Sequence, residues 1–291
     1  MIQEKTVTLG IIGGSGVYQM DGVKLVKEHH IETPFGQPSD AVIEAMLGEK
    51  TVYFLPRHGR GHKLLPSEVN YRANVYALKS LGVTHVLAVS AVGIMKEAIR
   101  PGDMVIPDQI FDRTKGHRQS TFFGDGVVGH VEFADPFDHD FCSQIESAAK
   151  SVTDSVHRGG AYVCIEGPQF STRSESKHYR DTLKPSVIGM TGIPEAKLVR
   201  EAEMCYGMLA LATDYDCWHE SEEDVSVEAV LAVLKTNTEK ANQIVKTLVG
   251  QMPEKVSSAI FTAAKFAIIT AREHIPEKRK QELALLYAQY L

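Results

Sequence analysis

The 291-residue chain lacks features that several broad classes of protein require. No apolar run approaches the ~18–20 residues that span a bilayer, which excludes a helical membrane protein. The N-terminal stretch MIQEKTVTLG carries charge where a secretory signal has its apolar core, so no secretion and a cytoplasmic location are expected. No Asn-x-Ser/Thr sequon is present. The cysteines, Cys142, Cys164, Cys205 and Cys217, are too scattered for a disulfide framework or a metal-ligand pattern and read as buried thiols. The histidines include no His-Glu-x-x-His spacing, so no metal site is predicted.

Positive charge is also scarce. Lys and Arg number 31 against 37 Asp and Glu, a net charge of −6, which argues against a nucleic-acid partner. Any anion bound here must be held by a local cluster of donors, against the overall field. Internal repeats, low-complexity tracts and Gly/Ser linkers are absent. The balance of 43% apolar to 23% charged residues is that of an ordinary globular protein, and the length suffices for a sizeable core without staples.

Short β-branched runs alternate with amphipathic segments. Strands are expected at Thr6–Ile12, Ala41–Glu44, Thr51–Leu55, Thr84–Ser90, Met104–Pro107, Ala161–Ile165, Val187–Met190 and Met208–Thr213. Helices are expected from Ser67, as N-cap, to Gly82; over Phe141–Val152; from the capping box Thr172-Arg173-Ser174-Glu175; from Pro194 to about Gly207; over Val227–Leu248; and through a final stretch from about Lys255 to Leu291. The alternation predicts an α/β fold: one domain with a central mixed, mostly parallel sheet flanked by helices. Residues 1–252 would form it, and 253–291 a C-terminal helical tail packed on the same domain. Ligands of such sheets bind beyond the carboxyl ends of the strands.

Five strand ends carry chemistry. Gly13-Gly14-Ser15-Gly16 offers backbone N–H groups and a hydroxyl to an anion, yet fits neither the G-x-G-x-x-G fingerprint nor a P-loop. Arg57-His58-Gly59-Arg60-Gly61-His62 concentrates donors suited to phosphate. Ser90-Ala91-Val92-Gly93 and Met190-Thr191-Gly192 combine small residues with hydroxyls and free backbone N–H groups. Each stretch taken singly is equally an ordinary turn; converging, they make a tetrahedral oxyanion site. The fifth, Thr213 to Trp218, sets Asp214 and Asp216 two apart, on one side of an extended chain. Like charges held close raise one pKa, giving one proton donor and one ionised acceptor. That suits a 6-aminopurine, whose amino group donates and whose N7 accepts; a 6-oxopurine would call for Asn, and without other context the two read first as a pair of loop carboxylates.

The runs Gly10 to Gly16, Thr33 to Gly36, Arg57 to Arg60, Glu166 to Ser171 and Met190 to Glu195 together resemble the purine nucleoside phosphorylase superfamily over roughly residues 8–250. Thr213 to Trp218 resembles its branch acting on 5′-methylthioadenosine. The resemblance implies a homotrimer and a phosphorolysis that needs no metal or organic cofactor, with inorganic phosphate as co-substrate. It implies phosphate binding by Ser15, Arg57, His58, Ser90, Ala91 and Thr191. Asp214 and Asp216 would read adenine, with Asp214 as general acid at N7. Phe170 would stack near the base, Met190 lie under the ribose and His62 sit by its 5′ side. His130 would come from the neighbouring subunit, and Val227, Val230, Leu231 and Ile269 would line the methylthio pocket. Val227, Val230 and Leu231 share a helix face, although Leu234, Ala241, Val245 and Leu248 continue the stripe as core. Ser15 and Ser90 stand where the family often has Thr, and Gly192 where it often has a hydroxyl.

The alternatives are a related phosphorylase acting on methylthioinosine, inosine or adenosine, a hydrolase using water, and a nucleoside-binding module. Phosphate dependence and substrate preference separate them.

Overall fold

The computed structural model describes residues 3–14, 22–219 and 227–291, with the backbone alone at 227–230 and 232. In chain order the elements are β1 (Gln3–Thr6), β2 (Leu9–Gly13), β3 (Val23–His29), β4 (Val42–Leu47), β5 (Lys50–Pro56), α1 (Tyr71–Ser80), β6 (His85–Ile94), β7 (Met104–Ile106), β8 (Gln109–Arg113) and α2 (His139–Lys150). They continue as β9 (Val156–Arg158), β10 (Ala161–Ile165), α3 (Arg173–His178), β11 (Val187–Gly189), α4 (Gly192–Glu201), β12 (Cys205–Asp214), α5 (Val227–Gln251), β13 (Lys255–Ser258) and α6 (Glu277–Tyr287).

Among the described residues, eleven strands form one mixed, mostly parallel sheet, with the path β3-β4-β5-β2-β6-β11-β10-β8; β12 and then β7 and β9 branch from β6. The α/β architecture expected from the alternation is present. The largely apolar and buried strands β2, β6 and β12 lie at its centre. Helices α2 and α5 pack on each other and on β12, while α1 and α4 pack together. Among the described residues no helix is long and apolar enough to cross a membrane.

The central strand β6 forks the sheet. One edge pairs with β12 from His85 to Gly93. The other pairs with parallel β2 only from His85 to Ala88, and with antiparallel β11 only at Gly93 and Ile94. Between those two partners no described strand covers Val89–Val92. Such a gap exposes backbone groups that must find other partners.

Several local expectations change. Thr6–Ile12 is not one strand: β1 leaves to pair with β13, and β2 begins at Leu9. Helix α1 starts at Tyr71, four residues after Ser67. Its N-cap is Asn70, whose Oδ1 accepts from Ala73 N–H at 3.2 Å while Nδ2 donates to Phe35 O at 2.8 Å. Helix α4 ends at Glu201, because Glu203 takes φ +56 and β12 has begun by Cys205, so Gly207 lies inside a strand. The stretch after Lys255 is not one helix: it holds β13, two 3-10 turns and, only over Glu277–Tyr287, α6. The capping box at Thr172 and Glu175 forms as expected. Cys142, Cys164 and Cys205 are buried free thiols, while Cys217 is half-buried.

Candidate active site

The fork in β6 is filled by Arg57. This side chain leaves the end of β5 only 2% exposed and sends Nη2 to Ile12 O at 3.1 Å and Nη1 to Val89 O at 3.2 Å. It thereby ties the end of β2 to the uncovered edge of β6. Its Nε and second Nη2 hydrogen meet Glu195 Oε2 and Oε1 at 2.8 and 3.0 Å, and Glu195 also accepts from Tyr206 Oη at 2.9 Å. The bidentate edge expected to face phosphate is therefore taken by Glu195. Of five guanidinium N–H groups, one Nη1–H stays free of partners among the described residues. Glu195 holds the guanidinium firmly in its charged form.

His58 follows. Its Nδ1 lies 2.8 Å from Leu64 O, and the backbone N–H groups of Lys63 and Leu64 both return to His58 O, so the Gly59–His62 turn clamps the ring. A carbonyl only accepts, so Nδ1 carries the proton and Nε2 presents a lone pair. Burial, then the charge of Arg57, pushes the imidazole down to about 4. His62 is exposed at φ +53 and stacks on His58, ring centroids 4.4 Å apart. Arg60 turns away to pair with Asp40 and Glu28.

Across the fork, Ser90 Oγ lies 3.4 Å from Thr191 Oγ1, bringing two of the expected phosphate hydroxyls together, with Ala91 beside them in the gap. The strand-end reading needs two corrections. Ser90 and Ala91 lie inside β6 rather than past its end, available because the gap leaves them uncovered. The backbone N–H groups of Thr191 and Gly192 are not free: both donate to Tyr162 Oη, at 3.2 and 3.4 Å. Thr191 offers only its hydroxyl. Ser15 lies outside the described residues.

At the end of β12 the register shifts so that Asp214 opposes Gly93. A Cβ on Gly93 would meet Ile188 Cγ2 at 2.9 Å and approach Asp214 Oδ1 at 3.5 Å, so this close approach depends on glycine. Asp214 Oδ2 accepts from Thr213 Oγ1 at 2.7 Å and Oδ1 from Asp216 N–H at 3.0 Å. The two residues are related by a 3-10 turn in which Asp216 has φ +50, not by the pleat of an extended chain. Asp216 is buried and accepts from Ser176 Oγ. Burial raises both carboxyls. Ser176 and Ser171 oppose the rise at Asp216, whereas the charge of Asp214 adds to it.

A second buried arginine joins the remaining loops. Arg118 donates to Glu166 Oε1 and O, at 2.7 and 2.5 Å, and to Met190 O and Ile193 O, at 2.6 and 2.7 Å. Gly167, at φ +70, brings this loop against Met190: a Cβ there would lie 2.5 Å from Met190 Sδ. The loop presents Phe170 48% exposed. Sequence reasoning missed Arg118, which stands in no recognised motif. It also missed Ser176 and Tyr162, and gave no role to Glu195 and Glu166 within motifs it did single out.

The residues expected at the methylthio pocket are dispersed in one chain. Leu231 is 57% exposed on α5; the side chains of Val227 and Val230 lie outside the described residues. His130 N–H donates to Ala267 O at 2.9 Å, and Ile269 N–H to Val128 O at 2.8 Å, so His130 and Ile269 ride on one short antiparallel ribbon. Ile269 is 67% exposed there, beside exposed Val128 and Phe266. Among the described residues no group of three His, Cys, Asp or Glu could hold a metal ion.

A family profile described as the phosphorylase superfamily matches residues 8–250. The chain belongs to the phosphorylase superfamily. Its phosphorylase fold has near relatives. S-methyl-5′-thioadenosine phosphorylase of Geobacter sulfurreducens is 53% identical, over 97% of this chain and 99% of its own. The crystal structure of a methylthioadenosine phosphorylase from an antarctic soil metagenomic library superposes with a TM-score of 0.89 at 46% identity, covering 97% of this chain and 99% of that one. A variant of the adenosine/methylthioadenosine phosphorylase of Schistosoma mansoni, solved with adenine, gives a TM-score of 0.78 at 40% identity over 84% of this chain and 91% of that one.

Proposed function

We propose that this phosphorylase cleaves 5′-methylthioadenosine with inorganic phosphate, giving adenine and 5-methylthioribose 1-phosphate, without metal or organic cofactor, as a cytoplasmic homotrimer. The observation that carries the reading is the placement of half-buried Asp214 and buried Asp216 together at the end of β12, beside the Gly93 end of the forked strand. One protonated and one ionised carboxyl would match N7 and the amino group of adenine. The names of the relatives support the same substrate.

In this reading Asp214 protonates N7 as the C1′–N9 bond breaks, and Asp216 accepts from the 6-amino group. The transition state is oxocarbenium-like, and neutralising the departing base contributes about 10²–10⁴-fold. Ser15, the free Arg57 Nη1–H, His58, Ser90, Ala91 and Thr191 hold phosphate beneath C1′, supplying proximity and electrostatic stabilisation. Over the whole reaction hydrogen phosphate gives an oxygen to C1′ and its proton replaces the one adenine carries away. Phe170 covers the base, Met190 the ribose and His62 its 5′ side. Val227, Val230 and Leu231 form one wall of the methylthio pocket. The ribbon bearing His130 and Ile269 supplies the other from a neighbouring subunit; its exposed Val128, Phe266 and Ile269 favour burial against a second copy.

The test compares kcat/KM for methylthioadenosine, adenosine, methylthioinosine and inosine, with and without phosphate. Strict phosphate dependence and preference for methylthioadenosine are expected. Preference for inosine, or adenine release undiminished without phosphate, overturns the proposal.

A further inference from the structure

The ribbon that carries His130 and Ile269 is held by few bonds of its own. Besides the two backbone bonds already given, Val128 N–H donates to Thr270 Oγ1 at 2.8 Å, and Gly129 bridges Ile268. A strand pair this short is marginal alone, and Val128, Phe266 and Ile269 on it are exposed. Its support is the ring of Phe123. A Cβ on Gly129, next to His130, would lie 2.6 to 2.9 Å from three atoms of that ring, so glycine lets the ribbon rest directly on it. Phe123 is held in turn by the tail. Tyr287 of α6 stacks on it, centroids 5.2 Å apart and planes 9° from parallel. Arg279 donates to Phe122 O at 2.7 Å. Pro276 packs on Gly126, where a Cβ would meet Pro276 Cδ at 2.8 Å. Tyr290 Oη donates to Glu203 Oε1 at 2.9 Å, which pins the far end of the tail to the turn after α4.

We propose that residues 275–291, through the Tyr287–Phe123 stack, set the position of this ribbon and thereby the preference for a 5′-methylthio group over a 5′-hydroxyl. This rests on the reading that the ribbon completes the methylthio pocket of a neighbouring subunit. Tyr287 and Phe123 are positioning residues: both are buried, so they act through the ribbon rather than on substrate. An apolar wall tells a thioether from a hydroxyl only while it closes on the group. A gap of about 0.5–1 Å forfeits a quarter to a half of the contact energy. Contacts to this end of the substrate lie away from the bond that breaks, so their loss raises KM and leaves kcat.

The experiment compares kcat/KM for methylthioadenosine and adenosine on one preparation of the full-length enzyme, because their ratio does not depend on how much of the protein is folded. Tyr287→Ala should lower the ratio about 10-fold by raising KM for methylthioadenosine, with KM for phosphate unchanged. Tyr287→Phe keeps the stack and should keep the wild-type ratio. Phe123→Leu retains a buried apolar side chain but offers Gly129 no flat ring, so it should lower the ratio too; where Tyr287→Ala does not fold, this variant decides. Ile269→Ala tests the place of the ribbon itself. A ratio lowered by Ile269→Ala but untouched by Tyr287→Ala and Phe123→Leu overturns the role of the tail while the methylthio pocket stands. Equal losses on both nucleosides in the Tyr287 and Phe123 variants overturn it as well, since they mean that the tail only stabilises. A ratio untouched by Ile269→Ala overturns the underlying reading of the ribbon, and the proposal with it.

Discussion

Asp216 donates its backbone N–H to Oδ1 of Asp214 at 3.0 Å, and this bond ties the Asp214 carboxyl to the turn that carries Asp216. The left-handed turn at Asp216 aims its amide back at the strand end, so Asp214 is oriented by main chain. Thr213 fixes the other oxygen. Neither donor brings a positive charge, so burial dominates and Asp214 is raised.

Asp214→Asn keeps an acceptor for the Asp216 amide and removes the transferable proton. Turnover of methylthioadenosine should fall about 10²–10⁴-fold. A 7-methylated nucleoside, cationic before it binds, should lose far less. An equal loss on both substrates would refute proton donation by Asp214.

Because a general acid must hold its proton, activity should decline as pH rises through the raised pKa of the carboxyl pair. The alkaline limb of kcat/KM should thus lie above the usual carboxylate range. Ser176→Ala removes a donor that favours ionised Asp216, so the limb should move to still higher pH. A limb unmoved in that variant would show that Ser176 only fills space.

Much of this was legible in the sequence, for reasons that can be named. Strands β2, β6 and β12 are mostly apolar on both faces and carry glycine or acid at or next to their carboxyl ends, which marks buried parallel strands. Arg57, Ser90, Thr191 and Asp214 follow or interrupt such strands, so their convergence followed from the fold class. Pairing across long separations was not legible. Nothing local says that Glu195, 138 residues away, occupies the Arg57 fork, or that Tyr162 takes the amides of Thr191 and Gly192. Nor does periodicity show that β2 leaves β6 at Ala88. The tail misled because Lys255 to Ile275 contains good helix formers that instead pair with β1 and the His130 ribbon, a tertiary override of propensity.

Glu195→Gln leaves Arg57 buried without its counter-charge. Breaking a buried pair this way costs about 3–5 kcal/mol. A large fall in denaturation midpoint is expected, with a raised KM for phosphate in whatever enzyme remains folded. Unchanged stability would mean that backbone carbonyls alone hold the guanidinium.

Glu201, the last residue of α4, holds the Thr121–Phe123 loop against which the tail packs. It accepts from Thr121 Oγ1 and Phe122 N–H, both at 2.7 Å, yet burial raises it to about 7 from 4.5. Between those values the native state keeps a proton that the unfolded chain has lost. Stability should therefore be greatest below about 4.5 for this group and fall as pH rises through about 7. Glu201→Gln should flatten that slope, read from urea unfolding at several pH values.

Tyr287 joins helix α6 to the same loop. Its ring is fully buried and stacks on Phe123, centroids 5.2 Å apart and planes 9° from parallel. Among the described residues its hydroxyl has no hydrogen-bond partner, and the nearby Glu201 and Glu203 disfavour its ionisation further. The two parts of the side chain should then act in opposite directions. Tyr287→Phe keeps the stack and removes a desolvated hydroxyl, so it should be neutral or stabilise by up to about 1–2 kcal/mol. Tyr287→Ala removes the ring and should cost about 3–5 kcal/mol. Arg279 donates to Phe122 O at 2.7 Å from the same helix, so the alanine variant should also loosen the segment leading to His130, seen as faster amide exchange across Phe122–His130. A phenylalanine variant as damaging as alanine would mean that the hydroxyl has a partner after all.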